Sequence, residues 1–393
     1  MIPYSKHKTT FADAFSVARQ VKLRSLTQGP EIANFEKSVK QYVNSEYAVA
    51  VSSATAGLHI ALIALELEPN SEVITSPLSF LSSANCILYA GLKPVFVDID
   101  PTTKNLDKMQ VENALRDNPN IKAIIAVHYA GLPLEAAWFN KIKSEYGVKI
   151  IEDAAHALGA YYENGDKVGN SRITEMTVFS FHPVKSVTTG EGGVVVTNSQ
   201  NLKQKLLALR SHGVEPNPAL HINRFLSQTN NSLNPWYREM KMLGFHYRMT
   251  EIQASLGVSQ MKKLDKYISK RRELATHYDQ ILQNSHLIKP AQSVNTEGSA
   301  HHLYPVEINF IETKISRANL MLELKNKGIG TQVHYMPIPL NPYYVKLGYL
   351  SEDTPNAVSY YFKALSIPIY PGLKTSQQNK IVGEIEKILN AYR

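Results

Sequence analysis

The sequence predicts an α/β chain: a large domain built on a mostly parallel, seven-stranded sheet, followed by a smaller C-terminal α/β domain. Three observations lead there. Seven short β-rich runs recur, at 48–51, 72–75, 94–98, 123–127, 148–152, 176–180 and 193–197. Helical stretches fit between several of them, at 55–65, 79–89 and 134–146, and such alternation implies parallel strands joined by crossover helices. Near residue 250 the texture changes, which divides the chain into 1–250, with an N-terminal arm, and 251–393.

In the second part, Ile252, Leu256, Leu264 and Ile268 recur at multiples of four and predict one long amphipathic helix. A strand at 302–308, a helix at 314–327, a strand at 329–333 and helices at 356–364 and 376–389 follow. The segment 216–235 is polar and without period, and reads as a long loop.

Composition removes several function classes. With 393 residues the chain can bury a sizeable core. A single cysteine, Cys86, excludes an internal disulfide framework and a cysteine-rich metal site, and suits a reducing cytoplasm. No run approaches the ~18 apolar residues of a membrane span, so neither secretion nor membrane insertion is expected. The net charge is +8, but the basic residues are spread along the chain. The densest set, Lys262, Lys263, Lys266, Lys270, Arg271 and Arg272, reads as a solvated helix face rather than a nucleic-acid surface. A mildly basic enzyme for anionic substrates fits this balance.

Three stretches carry chemistry. After the first strand comes Ser52-Ser53-Ala54-Thr55-Ala56-Gly57, then a helix. Small and hydroxylated residues at a helix start offer free N–H groups and the positive dipole end to a phosphate, here without the Walker spacing. After the fifth strand comes Glu152-Asp153-Ala154-Ala155-His156. After the sixth comes Ser180-Phe181-His182-Pro183-Val184-Lys185, then a Gly-rich turn. Each has a plainer reading alone: a helix N-cap, a turn-capping aspartate, a surface-turn lysine. Together they meet the needs of pyridoxal phosphate. That cofactor takes a carboxylate at its ring nitrogen, a small residue under one ring face, and a lysine as Schiff-base nucleophile. Asp153, Ala155 and Lys185 match those needs. Ser53, Asp153 and Ser180 also fall at or just past carboxyl ends of predicted strands, where open α/β sheets gather ligands.

Over nearly its whole length the chain resembles the sugar aminotransferases related to the DegT, DnrJ, EryC1 and StrS proteins. The resemblance is carried by Leu26 to Pro30, Ser52 to Leu58, Glu152 to Gly159, Ser180 to Gly193, Arg210 to Gly213, Gly244 to Glu251 and Gln332 to Tyr335. It implies the type I aminotransferase fold, whose large domain has seven strands, and pyridoxal 5'-phosphate as cofactor. Tyr129-Ala130-Gly131, His156 to Gly159 and Tyr247 to Gln253 most resemble a subgroup that aminates carbon 4 of a UDP-linked 4-keto-6-deoxy-N-acetyl-L-sugar on the way to pseudaminic acid.

The resemblance also implies roles. Lys185 is the Schiff-base lysine and shuttles the proton; Asp153 pairs with the pyridinium nitrogen. His156 lies near the phenolic oxygen, Ala155 supports one ring face and Phe80 stacks on the other. Ala54, Thr55 and Ser180 hold the phosphate. The family's Gly-x-Asn-(Tyr/Phe)-Arg string, whose Asn reaches the neighbouring subunit's cofactor phosphate, is here Gly244-Phe245-His246-Tyr247-Arg248. His246 thus stands in for that Asn. Tyr4, Gln28, His182, Glu191, Arg248 and His334 are candidates for the sugar nucleotide, bound between subunits of a homodimer, with glutamate as amino donor. Other readings are an aminotransferase for another nucleotide-linked keto sugar, a sugar dehydratase on the same fold, and a non-catalytic regulator. The dehydratases replace the lysine with His, so Lys185 argues against that reading, and the intact Asp153, His156 and Lys185 argue against a regulator.

Overall fold

A computed structural model of the chain describes residues 1–215 and 217–393, with Leu23 described by its backbone. Its centre is a seven-stranded sheet: β1 (Tyr47–Val51), β2 (Glu72–Thr75), β3 (Lys93–Phe96), β4 (Ile121–Val127), β5 (Lys149–Asp153), β6 (Met176–Ser180) and β7 (Gly193–Thr197). The order is β1-β7-β6-β5-β4-β2-β3. Pairings from β3 through β6 are parallel, and β7 runs antiparallel to both β6 and β1.

The strands read as continuous apolar runs because helices cover both faces. Successive residues feed opposite cores. Ala48, Ala50, Ile124 and Ile150 join the cluster that also holds Phe35 and Val39 of the helix Pro30–Val43. Val49, Val51, Ile125 and Ile151 join the cluster of the helix Ala54–Ala64, with Leu206 and Leu209 from Gln200–Arg210. A two-residue period thus serves two layers from one strand.

A hairpin, β8 (Gln228–Thr229) with β9 (Ser232–Leu233), and the short helix Arg224–Ser227 occupy half of the predicted loop at 216–235, of which Pro216 lies outside the described residues. Phe225 is exposed on this segment, and Trp236 just beyond it.

The C-terminal part holds a three-stranded antiparallel sheet, β10 (Ile288–Pro290), β11 (Tyr304–Ile308) and β12 (Ala364–Ile367). Leu274 and Tyr278 of the helix Leu264–Leu282, Leu320 and Leu324 of Arg317–Asn326, and Ile381 and Ile385 of Thr375–Ala391 close its core.

Several expectations for this half need correction. The long helix breaks at Lys262–Lys263 into Glu251–Met261 and Leu264–Leu282. The predicted helix at 314–327 forms over Arg317–Asn326, and a separate short helix, Phe310–Thr313, precedes it, with Lys314 between them in the left-handed region (φ 54°). The predicted strand at 329–333 makes only isolated bridges, Ile329 to Ile2 and Gln332 to Ser366. The chain there leaves the small sheet and turns into the crevice described below. Ala364, expected to end a helix, starts β12. The basic run is not one solvated face either. Arg271 is 1 % exposed, and Arg272 donates to the carbonyls of Ser299 and Gly159 at 3.0 Å. Among the described residues no helix is long and apolar enough to cross a membrane.

Candidate active site

Strand ends deliver the first groups. Beyond β1, Ser53 caps the helix Ala54–Ala64, its Oγ accepting from the Ala56 N–H at 3.1 Å. The N–H groups of Ala54 and Thr55 stay at the positive end of that helix, on the wall of a crevice of about 630 Å³. Gly193 of β7 packs directly behind them. A Cβ there would stand 2.5 Å from the Ser53 carbonyl carbon and 2.6 Å from the Ala54 nitrogen, so only glycine lets strand and loop approach. Ser180, at the end of β6, lines the same crevice and is 9 % exposed.

β5 ends in Asp153, which faces the crevice. Ser83 Oγ donates to Asp153 Oδ2 at 2.6 Å, and the Ala155 N–H reaches Oδ1 at 3.2 Å. Because Ser83 gives its proton to the carboxylate, Ser79 is the donor in the 2.7 Å Ser79–Ser83 contact. Ser82 and Ser83 open the helix Ser82–Tyr89, so a helix start aims the carboxylate.

Lys185 lies in the turn between β6 and β7. Its side chain is half-buried: the crevice leaves part of it accessible, while protein atoms crowd the amine on its other sides. Burial pushes the amine down to about 8; Asp153 opposes that shift and Arg271 adds to it. An amine so placed is a free nucleophile and base for a useful fraction of the time near neutrality.

Histidines surround it. His156 and His302 pack in a tilted arrangement, with ring centroids 4.4 Å apart and planes 43° apart. The Tyr335 hydroxyl hydrogen-bonds with His156 Nε2 at 3.1 Å, while His156 Nδ1 is buried with no partner among the described residues. Burial, then the positive charge of Lys185, then His334, hold His156 well below the ordinary imidazole range. His334 is pushed down to about 3 by burial and Lys185, and its Nδ1 contacts Ser366 Oγ at 2.8 Å. Tyr4 arrives on the N-terminal arm, its ring 5.7 Å from that of His334.

The rim is more open. Phe80 is 59 % exposed, with its ring 6.4 Å from that of Tyr335. His182 Nε2 and Glu191 Oε1 stand 4.0 Å apart at the mouth. Three of the sequence candidates lie outside this crevice. Gln28 is exposed with φ 54°, His246 is exposed, and Arg248 Nη2 contacts His246 Nε2 at 2.9 Å.

His302, Tyr335 and Ser83 also line or support the crevice and were not singled out from the sequence. His302 was read as the start of a strand, which begins at Tyr304 instead. Its signal was the His301-His302 pair ahead of an apolar run. Tyr335 ends the string Gln332 to Tyr335, and Ser83 follows the Ser76-Pro77 turn in a stretch with several serines.

The donor set suits a group with an aldehyde, a basic ring nitrogen, an oxygen near His156 and a phosphate. The amine is depressed, a held carboxylate lines the same crevice, an imidazole nitrogen has no partner among the described residues, and a helix N-terminus completes the wall. Lys185, Asp153, His156 and the Ala54–Thr55 turn would hold such a group.

Comparison with known proteins points the same way. The model of the DegT/DnrJ/EryC1/StrS aminotransferase family matches residues 11–386. The uncharacterized protein MJ1066 of Methanocaldococcus jannaschii is 40 % identical over 370 residues, which is 94 % of this chain and 92 % of that protein. The UDP-4-amino-4,6-dideoxy-N-acetyl-beta-L-altrosamine transaminase of Campylobacter jejuni (strain 81-176) is 34 % identical over 398 residues, covering 100 % of both. Helicobacter pylori PseC, an aminotransferase involved in the biosynthesis of pseudoaminic acid, superposes with a TM-score of 0.89 at 30 % identity, covering 100 % of both chains.

Proposed function

Because the chain belongs to the DegT/DnrJ/EryC1/StrS aminotransferase family and uses pyridoxal 5'-phosphate, we propose that it moves an amino group from glutamate to carbon 4 of a UDP-linked 4-keto-6-deoxy-N-acetyl-hexose, in the route to pseudaminic acid. The observation that carries this reading is full-length similarity to the Campylobacter jejuni UDP-4-amino-4,6-dideoxy-N-acetyl-beta-L-altrosamine transaminase and to the Helicobacter pylori aminotransferase of pseudoaminic acid biosynthesis. The cofactor, when bound, supplies an electron sink for the carbon that gains or loses a proton.

The chain's own residues do the rest. Lys185 takes a proton from one carbon and returns it to another, for which an amine shifted to about 8 is matched. Asp153, fixed by Ser83 and the Ala155 N–H, presents a carboxylate to the ring nitrogen. Ala54, Thr55 and Ser180 take the phosphate, Ala155 and Phe80 flank the ring, and His156 faces the ring oxygen. His182, Glu191, His334 and Tyr4 line the space left for the sugar. Exposed His246, with Arg248 and Gln28, serves the neighbouring subunit of a homodimer, His246 at the phosphate and Arg248 at the nucleotide diphosphate. A UDP-sugar substrate and the single buried cysteine both suit a cytoplasmic enzyme.

The test of the substrate is incubation with UDP-4-keto sugars of both C5 configurations and glutamate, with products read by mass and NMR. Amination at carbon 4 of the L-configured sugar is expected. Amination confined to the other series would overturn the substrate while leaving the aminotransferase intact. The shared site is tested by mixing Lys185→Ala and His246→Ala subunits. Heterodimers carry both lesions in one site and none in the other, so activity should exceed that of either parent. An average of the parents, with subunit exchange confirmed, would remove His246 from the neighbour's site.

A further inference from the structure

Lys185 has three histidines around it, and they are not equivalent. His156 commits its Nε2 to the Tyr335 hydroxyl, and His334 commits its Nδ1 to Ser366. His302 alone turns a ring nitrogen toward the amine: its Nε2 stands 3.5 Å from Lys185 Nζ, the one hydrogen-bond contact of that amine among the described residues. We propose that His302 is a positioning residue for the reacting amine, holding protonated Lys185 through a hydrogen bond accepted at Nε2. The proposal rests on Lys185 being that amine.

The support is geometric. His302 is 4 % exposed and fixed at both backbone groups. Its N–H donates to the Ala130 carbonyl at 2.9 Å, and its carbonyl accepts from Arg271 Nη1 at 3.0 Å. The same Arg271 nitrogen reaches the carbonyls of His301 at 3.2 Å and Ile369 at 3.1 Å. A fully buried guanidinium on the helix Leu264–Leu282 thus staples the segment that carries His302, and His301 sits at φ 43° within that staple. The His156 ring packs against it at a 4.4 Å centroid distance, tilted by 43°, and limits how far the His302 ring can turn.

The protonation states agree. Burial first, then Lys185, His156, Arg271 and His334, keep His302 well below the ordinary imidazole range, so the ring is neutral with one donor and one acceptor nitrogen. Its Nδ1 is buried with no partner among the described residues. Nothing on that side selects a tautomer, so the ring can place its proton on Nδ1 and offer Nε2 to an ammonium. An amine that moves protons is charged and detached from the cofactor for part of every turnover. Among the described residues His302 offers that amine its one hydrogen-bond acceptor, which resists the combined push of burial and Arg271 toward the neutral amine. Asp153 is the one carboxylate acting in the same direction.

The readout is the pH dependence of Lys185 labelling by trace 1-fluoro-2,4-dinitrobenzene in the full chain stripped of cofactor, quantified on the Lys185 peptide. In the wild-type chain the midpoint is expected near 8. His302→Phe keeps a planar ring against His156 but loses the acceptor, and the midpoint should fall by about one pH unit, the size of a lost hydrogen bond to a charged group. His302→Gln returns a polar atom close to the Nε2 position and should restore the midpoint to within roughly 0.3 units. If His302→Phe fails to fold by circular dichroism, His302→Asn, whose amide mimics Nδ1 and not Nε2, should show the fall instead. An unchanged midpoint in the folded Phe or Asn chain overturns the proposal, as does a Gln chain that falls as far as either. A Lys185 of no catalytic use would reveal itself separately, by turnover surviving Lys185→Ala.

Discussion

Glu152 and Asp153 are neighbours on one strand and face opposite sides of the sheet, yet their surroundings have different characters. Behind the sheet, Glu152 is completely buried and fully engaged. Tyr162 and Thr177 donate to it in short contacts, Thr174 donates at 3.0 Å, and His128 Nε2 lies 3.2 Å away. In front, Asp153 opens on a crevice in which His156 and His302 each keep a ring nitrogen without a partner among the described residues. Native chains satisfy nearly all buried polar groups. A closed network is therefore the mark of structure. Buried polar atoms left waiting at a strand's carboxyl end are the mark of a site.

The sharpest way to break this contrast is to act on the crevice's amine. Lys185→Ala should lower turnover by on the order of 10⁴-fold or more with an unchanged circular dichroism spectrum. Steady-state transamination at the wild-type rate would remove Lys185 from the chemistry.

Next in size is the opposite pocket. Glu152→Ala should cost about 3–5 kcal/mol of stability, because it strips a buried network of its shared acceptor. Denaturant unfolding measures the loss, and the fraction that stays folded should keep most of its activity. Burial alone would raise the Glu152 carboxyl, but the hydrogen bonds from His128, Thr177 and Tyr162 hold it below its usual value. Its folded pKa is thus depressed. The stability it adds is complete above the unfolded value near ~4.3 and is lost as pH falls through the folded value. Glu152→Gln should therefore flatten the acid limb of a stability–pH curve.

Asp153→Asn is expected to retain cofactor yet lower kcat by roughly 100-fold, since the ring nitrogen loses its anionic partner. A wild-type kcat would show that the carboxylate serves something else. The smallest effect belongs to Ser83→Ala. Losing one donor to Asp153 should cost about 1–3 kcal/mol in cofactor affinity, read by dialysis, with kcat changed less than in Asp153→Asn.

The front of the sheet was legible in the sequence, because each chemical group there follows its own strand. A run such as Val148 to Glu152 ending in Asp153 announces both element and position. His302 and Tyr335 were not legible. They reach the crevice on segments without regular structure, and what places them is a buried arginine and hydrogen bonds to residues distant along the chain. The break at Lys262–Lys263 escaped for a related reason. Hydrophobic period reports which side of a helix is buried and says nothing about a change of axis when both pieces keep the same face. Arg271 was misread because a charged residue in a basic run looks solvated until three carbonyls are found around it.

The position of β7 carries a consequence for how the protein is made. β1 lies at the sheet's edge and has one neighbour, β7, although residues 47–51 leave the ribosome long before residues 193–197. At synthesis rates of roughly 5–20 residues per second, the Tyr-Ala-Val-Ala-Val segment waits on the order of ten seconds for its partner. Until Gly193 arrives to pack behind Ser53 and Ala54, the phosphate turn has no backing. The nascent chain thus carries an unpaired apolar strand through the first half of its synthesis, and the turn at Ser53 and Ala54 takes its final packing only once β7 has docked.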